Sequence, residues 1–123
     1  MEDVNYIYLW YLCYVVGLTA ITCTRNGTQV NVVCPHNKEI RVEFANYGRT
    51  APYNEVCPFD NLSSADTNCV RDVTTYTNIA RKACRRRQSC IVDRLLNLTD
   101  ACVGTYKYLE VRYQCIGEYN SCI

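Results

Sequence analysis

Ten cysteines in a chain of 123 residues limit the fold more than any other feature. Cysteine at this density is rare where thiols stay reduced and common in small exported modules. At this length the expectation is one domain. A domain of about 100 residues buries only ~60–70% of the surface its unfolded chain exposes, so its core is thin and covalent staples matter. Zinc is the competing reading of dense cysteine, and its sites want ligands two to four residues apart. The tightest spacings here are Cys84 to Cys90 and then Cys115 to Cys122, and His36 is the single histidine. Neither a metal nor a cofactor is expected.

The N-terminus fits export. Val4 to Thr24 carry no charge, and an apolar stretch runs from Tyr6 to Leu18. That is the length of a signal h-region and short for a membrane span. Small residues follow at Thr19 and Ala20, which places cleavage after Ala20. Residues 1–20 therefore read as a signal peptide, 21–117 as the domain, and 118–123 as a short tail carrying Cys122. The region before the apolar stretch holds Glu2 and Asp3 and no cation, so an uncleaved anchor is the alternative. The chain is expected to be extracellular, either secreted or anchored. Its formal charge is +1, or +3 once Glu2 and Asp3 are removed with the leader. A charge of that size implies no polyanion partner by itself, and no nucleic-acid partner is expected.

Along the domain, Gln29–Val33, Glu39–Phe44 and Tyr106–Cys115 alternate like strands with one wet face. Ile40, Val42 and Phe44 are expected on one side. Lys107, Leu109, Val111, Tyr113 and Cys115 are expected opposite Tyr108, Glu110, Arg112 and Gln114. Ser89–Val92 reads as a fourth strand. Asp72 is a suitable N-cap for a helix to Cys84, with Val73, Tyr76, Ile79, Ala80 and Ala83 at helical spacing. Arg49–Asn68, with Pro52 and Pro58, reads as a loop. The fold class is α+β: a small disulfide-rich domain with antiparallel sheets and one or two short helices.

Two motifs carry a resemblance. ANYGRT covers 45–50, and DACVGTYKYLEV covers 100–111. Together with the order of Cys23, Cys34, Cys57, Cys69, Cys84, Cys90, Cys102 and Cys115, they resemble the rhamnose/galactose-binding lectin domain of the sea-urchin-egg-lectin type. The lectin module of latrophilins is especially similar. The resemblance implies the pairs Cys23–Cys57, Cys34–Cys115, Cys69–Cys102 and Cys84–Cys90. Spacing alone leaves on the order of a hundred pairings open. It also implies a metal-independent sugar site with Tyr47, Asp100, Gly104 and Lys107. A lysine donates up to three hydrogen bonds and a carboxylate accepts several, which suits vicinal hydroxyls. Gly104 lets backbone approach the ring, and Tyr47 offers an apolar face with a hydroxyl.

This sequence departs from the family at Thr24, where the family places a Glu after the first cysteine. Arg25 supplies no acceptor in its stead. Asn26, Asn61 and Asn97 head glycosylation sequons, and two of them flank the implied site. The expected function is an extracellular carbohydrate-binding module. The alternative is a protein-recognition or adhesion module on the same scaffold, with weakened or lost sugar binding. Tyr47-Gly48-Arg49 also reads as a simple turn, with Gly48 at positive φ and Arg49 in an ion pair. Lys107 and Asp100 each also read as structural. Arg81, Lys82 and Arg85–Arg87 form a basic cluster that is either a solvated helix end or a contact for a sulfated glycan. Cys122, left over once eight cysteines pair and Cys13 leaves with the leader, points to a disulfide-linked dimer or to a partner further along a longer chain. No nucleophile–base pair and no phosphate-cradling loop is present, so no enzyme activity is expected.

Overall fold

The computed structural model describes residues 17–24, 27–58, 67–70, 73–93, 102 and 104–117. The leader to Val16, Arg25, the Asp72 cap, all three sequon asparagines, Asp100 and the tail with Cys122 lie outside the described residues.

The strands are β1 (Leu18–Cys23), β2 (Gln29–Val33), β3 (Glu39–Gly48), β4 (Ser89–Asp93) and β5 (Tyr108–Ile116), with helix α1 at Val73–Cys84 between β3 and β4. Both sheets are antiparallel. One has the order β1-β5-β3, and the other pairs β2 with β4. Four disulfides join Cys23 to Cys57, Cys34 to Cys115, Cys69 to Cys102 and Cys84 to Cys90. These are the four pairs that the resemblance implies. Among the described residues no helix is long and apolar enough to cross a membrane.

The core lies between the sheets and the helix. Val30, Val32 and Val92 from the small sheet meet Ile40, Val42, Leu109 and Val111 from the large one, and Tyr76 and Ala80 close the helix side. Alternation in β2 and β4 matches this one-sided burial. Strand β1 begins at Leu18 and pairs Leu18, Thr19 and Ala20 with Tyr113, Arg112 and Val111. The domain's first strand therefore overlaps the last three residues of the segment read as leader. The cause is local: Ala20 packs on the core while Thr19 turns to the other face, so this stretch also suits a strand.

Three expectations about strand and helix faces change. The first concerns β3. Its register against β5 shifts between Val42 and Phe44, where Glu43 forms a bulge. The inserted residue carries Phe44 to the opposite face, and Ala45 takes its place in the core. The Arg112 guanidinium lies 4.3 Å from the Phe44 ring centre.

The second concerns β5. The segment after β3 covers the start of its outer face through Thr50, while Arg112 further along is exposed. Tyr108 and Glu110 are buried. Glu110 accepts from Thr50 Oγ1 at 3.1 Å and pairs with Arg112 at 2.8 Å. The third concerns α1. Ile79 faces outward, while Thr77 is buried. Thr77 Oγ1 accepts from the Ala45 N–H at 2.9 Å, and Arg81 Nε donates to the Val42 carbonyl at 3.0 Å. The helix thereby covers the open edge of β3, which would otherwise present unpaired backbone groups.

Gly48 is the last residue of β3, not a turn residue, and its φ is not positive. Its need for hydrogen as a side chain comes from packing. A Cβ there would overlap the Cys69 carbonyl oxygen, which also accepts from Asn46 Nδ2 at 3.1 Å. Backbone bonds in both directions between Arg49 and Cys69 hold that approach fixed. Gly48→Ala is expected to cost about 3 kcal/mol, at the upper end of overpacking penalties. Urea unfolding of the oxidised protein measures it. A loss under about 0.5 kcal/mol, the range of neutral surface changes, would show that the Cys69 segment yields.

Candidate carbohydrate-binding site

The residues of both motifs meet where β3 ends and β5 begins. Arg49 organises the place. It is completely buried, and its guanidinium donates to four carbonyls: Nε to Tyr106 at 2.7 Å, Nη1 to Ala51 and Val56 at 2.8 Å each, and Nη2 to Cys57 at 2.8 Å. Its Cζ also lies 4.4 Å from the Tyr53 ring centre and 4.9 Å from that of Tyr108. Arg49 thus has a structural role, but not the expected ion pair. Carbonyls suit it better than a single carboxylate would, because the planar fork can close the 49–57 loop in several directions at once. Burial pulls its pKa below the ordinary arginine value, and the tyrosines Tyr108, Tyr53 and Tyr106 oppose that shift.

Fastened to this hub is the segment that carries Gly104 and Lys107. Tyr106 gives its carbonyl to Arg49, and its N–H donates to Tyr53 Oη at 3.1 Å. Gly104 has φ of 90° and open space where a Cβ would stand. That is a conformation glycine adopts without strain, and its backbone is accessible. Lys107 is 8% exposed. The Thr105 carbonyl takes one of its three donors at 3.0 Å. The Lys107 carbonyl accepts from Thr24 Oγ1, also at 3.0 Å. The position directly after the first cysteine therefore lies against Lys107, although 83 residues separate them.

Tyr47 is half-buried, packs on the core and pairs with Leu109. Lys107 lies two residues upstream of that partner, just before β5 begins at Tyr108. Of the four implied site residues, Gly104 and Lys107 lie on the segment that leads into β5 and Tyr47 lies near the end of the neighbouring β3; Asp100 lies outside the described residues. Thr24 and the Arg49 hub are what residue patterns alone did not place at the site. Thr24 had a signal, since it occupies the family's Glu position. The wide set of carbonyl contacts of Arg49 had none. Among the described residues, no three His, Cys, Asp or Glu side chains converge as a metal site would require.

The model of the D-galactoside/L-rhamnose binding SUEL lectin domain matches residues 32–115. The chain belongs to this lectin-domain family. The matched range takes in seven of the eight bridged cysteines and begins after Cys23 and Thr24. Over 91 residues the chain is 36% identical to the L-rhamnose-binding lectin ELEL-1 of Echinometra lucunter, covering 72% of this chain and 84% of that one. Over 101 residues it is 35% identical to the Adhesion G protein-coupled receptor L1 of Mus musculus, covering 81% of this chain and 7% of the receptor. Over 104 residues it is 31% identical to Protein eva-1 of Caenorhabditis elegans, covering 74% of this chain and 23% of that one. The chain thus spans only a small part of the receptor's length and most of the sea-urchin lectin's. The family is one of binding domains, not enzymes, and its lectin character makes carbohydrate the natural class of ligand.

Proposed function

We propose that this domain binds rhamnose- or galactose-type sugar outside the cell without a metal ion, at the junction of β3 and β5. Lys107 donates to sugar hydroxyls, Gly104 admits the ring close to backbone, and Tyr47 and Asp100 flank it. The observation that carries the reading is the contact of Thr24 with Lys107. It supports the reading because the two positions that the family resemblance implies for the sugar are hydrogen-bonded neighbours.

The same contact defines what is altered. Thr24 supplies a hydroxyl already turned to backbone where the family has a carboxylate acceptor, so affinity is weakened. On a glycan array and in titrations with L-rhamnose, Lys107→Ala is expected to lose binding about 10- to 100-fold, the value of one charge-assisted hydrogen bond. Thr24→Glu is expected to gain roughly tenfold by restoring an acceptor. An unchanged Lys107→Ala would remove the site from this position.

A second reading is protein recognition for adhesion, favoured by the substitution at Thr24 and by the receptor among the relatives. Failure of both the parent and Thr24→Glu to bind any sugar would select it. In either role we propose that residues 1–20 are removed on export, which shortens β1 to Ile21–Cys23, or retained as an anchor, which leaves β1 whole, and that Asn26, Asn61 and Asn97 carry glycans. We also propose that Cys122 links two chains. Non-reducing electrophoresis shows a dimer that Cys122→Ser abolishes if this last assignment holds.

A further inference from the structure

At the opposite end of β5 from Lys107 lies a second, differently built surface. Its centre is the loop Arg85–Gln88, enclosed by the Cys84–Cys90 bridge. The backbone of this loop is pinned on every side. Arg87 N–H donates to the Cys84 carbonyl at 3.1 Å. The Arg87 and Gln88 carbonyls accept from Ile40 and Cys34, each at 2.8 Å. Gln88 Nε2 returns a bond to the Cys34 carbonyl at 3.2 Å. Arg86 is held at φ of 59°, a conformation in which glycine or asparagine is easier to place.

Three arginines project from this fixed frame, all exposed. They form a ridge between two open grooves. One groove, of about 530 Å³, is lined by Asn37, Lys38, Glu39, Arg86, Gln88 and Ile116. The other, of about 580 Å³, lies on the far side and includes Asn31, Arg87, Ser89 and Ile91. The ion pair between described residues is Arg112 with Glu110, elsewhere in the fold. Lys38, Lys82 and Arg85–Arg87 are not matched to carboxylates among the described residues. Arg81, by contrast, is committed to the Val42 carbonyl.

We propose that this ridge is a binding site for a sulfated polysaccharide, separate from the sugar site at Lys107. Unmatched cations on a rigid loop attract a polyanion without the cost of ordering the loop. Guanidinium forks match sulfate oxygens as they match phosphate. Amide side chains at Asn37, Gln88 and Asn31 supply donors and acceptors for the hydroxyls between sulfates. Among the described residues no aromatic side chain lines either groove, so none of them offers a platform for stacking nucleic-acid bases. The nine residues of β5 separate the two sites by roughly 30 Å at ~3.3 Å per residue. A single monosaccharide cannot bridge them, and each can be tested alone.

The test is titration of the oxidised chain with a size-defined heparin oligosaccharide at rising salt. Binding is expected at physiological ionic strength and should weaken as salt screens it. The combined variant Arg85→Ser, Arg86→Asn and Arg87→Ser is expected to lose at least about tenfold in affinity, with an unchanged thermal midpoint. If that variant is destabilised, Arg85→Ser alone carries the comparison and should lose several-fold. Glu39→Gln should bind more tightly, and Lys107→Ala should bind like the parent, whether or not Lys107 holds a monosaccharide. Equal affinity of the arginine variant overturns the assignment. So does equal binding of desulfated heparin, single-stranded DNA or phosphatidylserine vesicles, each of which would show a charged surface without selectivity for sulfated sugar.

Discussion

Replacing Cys34 and Cys115 together by alanine is expected to lower the unfolding free energy by about 4.5 kcal/mol, against about 2 kcal/mol for the pair Cys84 and Cys90. The difference follows from chain length. The first bridge spans 81 residues and the second only 6, and the entropy removed from the unfolded chain grows with the logarithm of the loop. The long bridge also ties the residue after β2 to the end of β5, and so holds the small sheet to the large one. A domain of this size has ~5–15 kcal/mol in total, so this loss removes a large share. Urea unfolding of both double variants, with the other three bridges verified by mass spectrometry, gives the comparison. Equal losses from the two, or a larger loss from the short loop, would show that native-state packing around the sulfurs outweighs chain entropy here.

Arg49→Met is expected to cost about 3–5 kcal/mol. The stem still packs, but four carbonyls on Ala51, Val56, Cys57 and Tyr106 lose their donor. Hydrogen bonds from a charged group contribute ~1.5–3 kcal/mol each, and the sum is reduced because the variant no longer buries a charge. The contacts over Tyr53 and Tyr108 are lost as well. Arg49→Lys should recover only part, since an ammonium has three donors and no fork. The loss should appear both in the unfolding midpoint and as faster amide exchange over residues 49–57. A cost below about 1 kcal/mol would mean that water replaces the guanidinium, and the loop would then not depend on it. Because Tyr106 is one of the four acceptors, sugar binding at Lys107 should weaken in the same variant, at temperatures where the protein is still folded.

The two experiments address the two ways in which this small domain is held. Disulfides restrict the unfolded chain, whereas Arg49 fastens one loop in the folded one. The candidate sugar site depends on both. Cys23 and Cys57 tie β1 to the Arg49 loop, and Thr24 follows directly on that bridge. Restoring a carboxylate at Thr24 therefore alters ligand chemistry on a frame already fixed on both sides.

Residue order alone was enough to place most elements. Alternation in 29–33, 39–44 and 106–115 and helical spacing in 73–84 are local patterns, set by side chains within a few positions of each other. The eight-cysteine order and the two motifs carried the family, and with it the bridge pairs; for the sugar site the family implies Lys107, Gly104, Tyr47 and Asp100. Neither periodicity nor composition could have chosen among those pairs. Tertiary structure decided what depends on residues far apart in the chain. The bulge at Glu43 exists because β3 must register on β5, and it moves Phe44 out of the core. Glu110 and Tyr108 are buried because the segment after β3 folds over them. Gly48 is needed because the Cys69 carbonyl arrives at its Cα, and Arg49 has four carbonyl partners because a loop brings them. Thr24 and Lys107 meet only because β1 lies beside β5, across 83 residues of chain. A period read from sequence reports which way a side chain points relative to its neighbours. Only packing against distant chain sets what it finds there.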